Sequence, residues 1–183
     1  PISCVATIGF FDGVHMGHRY LIQQVKEIAA AKGLRSALVT FPVHPRKVMN
    51  AAYHPELLTT PEEKTNLLAG TGVDYCLMLD FTPDISRLTA KEFMTQILKE
   101  RYQVKYLVIG YDHRFGHNRS EGFDDYVRYG QAIGIKVIRA QAYTDDIQID
   151  TIQSAPVSSS LIRKLLHQGD VDAAARCLGY EYF

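Results

Sequence analysis

Net charge is the first thing this sequence lacks: twenty Lys and Arg residues are matched by twenty Asp and Glu. No broad positive field is available to draw the chain to nucleic acid or to an anionic membrane, so any anion site has to be built locally. A run of about 18 apolar residues, enough for a membrane-crossing helix, is missing too. The first residues show no basic zone followed by an apolar one, so no secretion signal is read there and the cytoplasm is the expected compartment. Only three cysteines are present, Cys4, Cys76 and Cys177. They lie far apart in apolar stretches without metal-ligand spacing, which predicts reduced core thiols rather than a disulfide frame or a zinc site. Neither GxxxxGK followed by Ser or Thr nor GxGxxG occurs, which removes the common kinase and dinucleotide fingerprints. No Ser-His-Asp or Cys-His constellation can be read either.

What is there is the pattern of one ordinary domain. The 183 residues, 46% hydrophobic and 22% charged, suffice for a soluble chain with a substantial core. Short apolar runs at 4–8, 37–41, 75–79, 106–109 and 136–138 read as buried strands. Between them lie helical spacings: 20–31 closed by Gly33, 60–70 opened by the Thr60-Pro61-Glu62-Glu63 capping box, a helix opened by Thr89-Ala90-Lys91-Glu92 with Phe93, Ile97 and Leu98 on its buried face, and 126–133. Two short helices, 159–166 and 171–178, close the chain. Alternating strands and helices predict an α/β fold, a doubly wound, mostly parallel sheet of about five strands. In such a sheet ligands lie at the carboxyl ends of the strands, where the two longest connections, 42–58 and 111–123, emerge.

Four segments at such exits carry possible chemistry. Gly9-Phe10-Phe11-Asp12-Gly13-Val14-His15-Met16-Gly17-His18 follows the first strand and opens the first helix. Its glycines permit a tight turn and close approach of a phosphate to backbone N–H groups, and His15 and His18, three apart, can share one side and donate to phosphate oxygens. The plainer reading is a pair of turn-capping histidines; a metal reading needs a third ligand and usually a spacing of four. Val157-Ser158-Ser159-Ser160-Leu161-Ile162-Arg163 follows Pro156. One serine caps the helix, and Arg163 one turn on either joins the hydroxyls around an anion or simply faces solvent. Gly110-Tyr111-Asp112-His113-Arg114-Phe115-Gly116 leaves the fourth strand as a dense polar stretch suited to ribose and phosphate, or as a solvated loop. Phe41-Pro42-Val43-His44-Pro45-Arg46-Lys47 leaves the second strand, stiffened by proline and locally basic.

Taken together and in order, GFFDGVHMGH, FPVHPRKV, LLTTPEEK, GYDHRFGHNRSEG, VSSSLIRKLL and LGYEY resemble the HxGH nucleotidylyltransferase superfamily. More narrowly, they resemble the FMN adenylyltransferase (FAD synthetase) module of bacterial bifunctional riboflavin kinase/FAD synthetases, over nearly the whole of 1–183. The resemblance implies a Rossmann-like fold and transfer of AMP from ATP to FMN, with Mg²⁺ held mainly by substrate phosphates and no protein metal cage. His15, His18, Asp112, Ser159, Ser160 and Arg163 are then the expected catalytic residues. ATP contacts are expected of Gly9, Phe10, Phe11, Asp12, Gly17, Gly110, Tyr111 and Ser158, and flavin contacts of His44, Pro45 and Arg46. Ser160 stands where threonine is usual, and Asp112 where some members carry asparagine. Members continue into a β-barrel riboflavin kinase domain, so this chain is expected to act on FMN and not on riboflavin, without nucleic-acid or membrane partners. The alternatives are an HxGH transferase acting on pantetheine phosphate, nicotinamide mononucleotide or glycerol phosphate, and a non-catalytic flavin- or nucleotide-binding module.

Overall fold

The computed structural model describes residues 3–50, 52, 54, 56–110, 113, 115–116, 121–143, 147–148 and 154–182. The apolar runs become β1 (Cys4–Ile8), β2 (Arg35–Thr40), β3 (Tyr75–Met78), β4 (Val104–Ile109) and β5 (Lys136–Arg139). They form one sheet in the order β3-β2-β1-β4-β5, and every neighbouring pair is parallel. The chain steps outward from β1 to β3, then returns to β4 on the other side of β1. The resulting crevice at the carboxyl ends of β1 and β4 is the place where doubly wound sheets bind ligands.

The strands read as continuous apolar runs because both faces of the sheet are covered. On one face Cys4, Ala6 and Ile8 of β1 pack with Phe93, Met94, Ile97, Leu98 and Tyr126. On the other, Val5 packs with Val25 and Ala29 of α1 (Met16–Lys32), and Leu38 with Ile22 and Leu68. Cys4 and Cys177 are buried free thiols as expected, whereas Cys76, on edge strand β3, is only half-buried.

Capping explains the helix starts. In α3 (Pro61–Ala69) Thr60 N donates to Glu63 Oε1 at 2.8 Å and Glu63 N to Thr60 Oγ1 at 3.1 Å. The same reciprocal pair, Thr89 and Glu92, opens α5 (Ala90–Phe93), which runs on as a π-helical stretch, Met94–Arg101. α1 ends at Gly33, left-handed at φ 65°. α6 (Phe123–Ile133), α7 (Ser159–His167) and α8 (Val171–Leu178) lie where the spacing predicts, and Leu58 packs with Ile162, Leu165 and Leu178 in a cluster of their own.

Three features go beyond the sequence reading. α2 (Pro45–Met49) interrupts the long connection after β2, and α4 (Pro83–Ser86) follows β3. A two-stranded antiparallel ribbon joins β6 (Ile147–Gln148) to β7 (Ser154–Ala155).

Candidate active site

β1 ends at Ile8, and the chain must turn at once to enter α1. It does so through a 3₁₀ turn, Asp12–Val14, with two left-handed residues that are not glycine, Phe11 at φ 60° and Val14 at φ 43°. A β-branched residue in that region costs about 1–3 kcal/mol and persists only where its surroundings hold it. Here they do. The buried Asp12 carboxylate accepts from Leu58 N at 2.9 Å and Thr59 N at 3.3 Å, and from the Arg163 guanidinium. Gly13 N donates to Thr59 Oγ1, Tyr180 Oη to Gly13 O, and Ser159 Oγ to Asp12 O at 3.0 Å. The turn is thus locked by segments 46 to 167 positions away.

This turn delivers the two histidines. His15 is the N-cap of α1: His18 N donates to His15 Nδ1 at 3.2 Å, and His15 N to His18 Nδ1 at 3.3 Å. The imidazoles stack with centroids 3.6 Å apart and 13° between planes, and Phe11 meets His18 edge-on. Gly17 makes room for the stack, since a Cβ there would lie 3.0 Å from His15 Cε1. Burial pushes His15 down to about 4, against the attraction of Asp12. Burial also holds His18 well below its ordinary value, helped by His15 and Lys64. Both rings are therefore neutral at pH 7. Because each Nδ1 accepts a backbone N–H, the ring proton sits on Nε2, which makes each Nε2 a donor. The capping and phosphate-donor readings are compatible: one ring nitrogen serves the helix and the other is left to act outward.

A groove of about 640 Å³ opens in front of this pair. From the sequence-predicted set it brings together Gly9, Phe10, Phe11, Asp12, His15, Gly17 and His18 at the exit of β1. His44, Gly110 and, from α7, Ser159 and Arg163 reach it from three other segments. Arg163 also donates through Nε to Glu56 O. Asp12, expected among the ATP contacts, has its carboxylate taken up by Leu58, Thr59 and Arg163. Ser158 is the N-cap of α7, accepting from Leu161 N at 3.1 Å, and does not line the groove. Ser160 and Arg46 are exposed and line neither this groove nor the cavity beside it. Tyr111 and Asp112 lie outside the described residues.

The adjoining cavity, about 290 Å³, is aromatic: Phe10, Phe41, Phe81, Phe93 and Phe115 wall it, with His44, Pro45 and His113. Ile8, Phe10, His44 and His113 line both spaces, so the two are continuous. Phe115 is fixed by stacking on Tyr126 at 4.3 Å, and Tyr126 Oη accepts from Phe115 N. Gly116, left-handed at φ 89°, lets this loop touch α5, since a Cβ there would lie 2.6 Å from Ala90 N. His44 caps α2, Nδ1 accepting from Arg46 N at 3.1 Å, which again leaves the proton to Nε2. The sequence reading did not include Phe41, Phe81, Phe93, Phe115 or His113 among the site residues. The GYDHRFG stretch and the Phe at the end of β2 were the available signal.

A family model described as FAD synthetase matches residues 1–156. The chain is 34% identical over 182 residues to a bifunctional riboflavin kinase/FMN adenylyltransferase from Listeria monocytogenes, covering 99% of this chain and 55% of the relative. Proteins of the same description from Escherichia coli and Bacillus subtilis are each 32% identical, covering 98% of this chain and 55% and 54% of the relatives. The chain therefore spans little more than half the length of these relatives. A crystal structure described as a macrolide-efflux protein from Streptococcus pneumoniae shares the fold, with a TM-score of 0.81 at 28% identity over 100% of this chain and 66% of that one. Among the described residues no helix is long and apolar enough to cross a membrane.

Proposed function

The chain belongs to the FAD synthetase family, and we propose that it transfers AMP from ATP to FMN, giving FAD and pyrophosphate. Of the two activities in its relatives' name, we assign adenylyl transfer to these 183 residues. The observation that carries this reading is the continuity of two spaces of opposite chemistry. An aromatic cavity suits a planar isoalloxazine, and the donor-lined groove beside it suits a triphosphate. An FMN seated in the first would send its phosphate past Phe10, His44 and His113 into the second.

In this reading an FMN phosphate oxygen attacks the α-phosphorus of ATP in line. A new P–O bond forms as the bond from the α-phosphorus to the bridging oxygen breaks, and pyrophosphate leaves with the electron pair. The nucleophile is already ionised at neutral pH, so catalysis rests on positioning and on donors aimed at the phosphate oxygens. His15 and His18 supply two such donors through Nε2–H, preset by the cap. Ser159 and Arg163 close the groove from the α7 side, while Gly9, Phe10, Phe11, Gly17 and Gly110 shape the ATP space. Asp12 acts through Arg163 and the turn, and His44 and Pro45 border the flavin. In this reading Asp112 acts near the reacting groups, Tyr111 contacts ATP, and Ser158 serves as cap.

The described residues include no group of three His, Cys, Asp or Glu placed to hold a metal ion. Asp12, the carboxylate at the groove, is bonded to Arg163 and to two backbone N–H groups. In this reading the ion enters bound to the ATP phosphates, and His15, His18 and Arg163 contribute nitrogen donors beside it.

Pyrophosphate release from ATP with FMN, pantetheine phosphate, nicotinamide mononucleotide and glycerol phosphate, each offered alone, tests the assignment. Release with FMN supports it, and release with another acceptor in place of FMN overturns it. Binding of FMN and ATP without release under any condition would favour a non-catalytic binding module.

A further inference from the structure

Lys64 is only 2% exposed, one turn before the fully buried Leu68 on the same face of α3. Its ammonium donates to Phe41 O at 2.8 Å and to Phe10 O at 3.0 Å, and lies 3.7 Å from the centroid of the Phe10 ring. No ion pair neutralises it among the described residues, in contrast to Arg163. An ammonium buried without a carboxylate is costly, and two carbonyls and an aromatic face are what make it tolerable here. A lysine satisfied in this way could be no more than a core strut. What sets it apart is the identity of its acceptors. Phe10 and Phe41 both wall the aromatic cavity, and Phe10 lines the groove as well. Thr40 Oγ1 also donates to Phe10 O, at 3.1 Å. The ammonium therefore ties the exits of β1 and β2 together where the two cavities join.

We propose that Lys64 is a positioning residue for adenylyl transfer: through Phe10 and Phe41 it fixes the wall shared by the flavin and nucleotide spaces, and it sets a buried positive charge behind that wall. The proposal rests on the FMN adenylyltransferase reading. Two anions must be brought together in front of a site whose histidines are neutral and whose Arg163 is paired with Asp12. A positive charge behind Phe10 favours that meeting without exposing a lysine to the reacting atoms.

The charge can be switched off. Burial pushes Lys64 down to about 8, against the attraction of Asp12 and then Cys76, and His18 is the other titratable neighbour that feels it. Burial raises the Cys76 thiol in turn, against the pull of Lys64. The native value lies below the ordinary 10.5, so as pH rises from about 8 to 10.5 this group's contribution to stability improves while its charge at the site disappears. Activity and stability thus move in opposite directions.

Steady-state kinetics of wild type, Lys64→Met and Lys64→Arg, with separate KM values for FMN and ATP and a pH profile of kcat/KM, test this. For Lys64→Met, kcat/KM for FMN is expected to fall about 10- to 100-fold, the scale of a misaligned site, with the ATP KM within about threefold. In wild type kcat/KM falls above a pH near 8, and in Lys64→Arg that alkaline limb is absent, because guanidinium keeps its charge. Lys64→Met matching wild type for FMN, or losing both substrates only in proportion to its unfolded fraction, overturns the proposal. So does an unchanged limb in Lys64→Arg, which decides the matter if Lys64→Met does not fold. A wild type that makes no FAD instead sinks the adenylyltransferase reading, and this proposal with it.

Discussion

Arg163 reaches back across the fold to Asp12: its Nη2 meets Asp12 Oδ2 between residues 151 positions apart, and the same guanidinium holds Glu56 O. The contact neutralises a carboxylate at the edge of a groove suited to phosphates and pins the strained turn that presents His15.

Arg163→Ala should therefore damage stability and activity together. It leaves a buried carboxylate without its cation, at a cost of about 3 kcal/mol, the lower end of what breaking such pairs does, since Leu58 N and Thr59 N still hold it. Arg163→Lys keeps the charge, but one ammonium cannot replace a planar fork bonded to both Asp12 and Glu56 O. It should lose about 1 kcal/mol and at least about tenfold in turnover. Thermal denaturation and kcat at saturating FMN and ATP measure the two effects. Silence of Arg163→Ala in both would reduce the segment to a capped helix.

The two nitrogens of His15 can be separated by substitution. Asn places an acceptor near the position of Nδ1, so His15→Asn should keep the cap and the melting temperature while removing the Nε2 donor. The expected rate loss is about 10²–10³. Gln keeps a donor near Nε2 but gives up the cap, at about 1 kcal/mol. The same pair at His18 should behave alike. If Gln and Asn variants lose activity and stability in parallel, the division of labour between ring nitrogens is wrong.

Acid should unlock the same cap. The native His15 value, about 4, lies below the ordinary 6.5, so the unfolded chain binds the extra proton first. Its contribution to stability is fully present above pH 6.5 and is lost as pH falls toward 4, on the order of 3 kcal/mol in all. Urea denaturation at pH 7, 5.5 and 4.5 measures it. His15→Asn should flatten the slope over that window, and an identical slope in both proteins would count against a neutral, capping His15.

Much of this molecule is legible in its sequence, for identifiable reasons. β1, β2 and β4 are short apolar runs largely buried on both sides, edge strands β3 and β5 are short enough to read from their apolar centres, and two Thr-to-Glu capping boxes with their proline or alanine follow local rules that tertiary packing does not disturb. α2 is less visible because its N-cap is His44, a residue type outside the usual capping set. α4 had a cap signal, Thr82 before Pro83, in a stretch too short to show helical period. The aromatic cavity could not be read locally, since its five phenylalanines come from five separate segments. The Asp12–Arg163 pair could not be read locally, since its members lie 151 positions apart. Lys64 sits inside a charged TPEEK run, where only its four-residue spacing to Leu68 marks the buried face of α3.

The most direct test of the account is to incubate the folded chain with FMN and ATP-Mg and separate the flavins by chromatography while pyrophosphate is counted. FAD should appear one-for-one with pyrophosphate in wild type, and more slowly by about 10²–10³ in His15→Asn at unchanged melting temperature. FMN recovered unchanged from the folded wild-type protein, or FAD formed equally fast by His15→Asn, would contradict it.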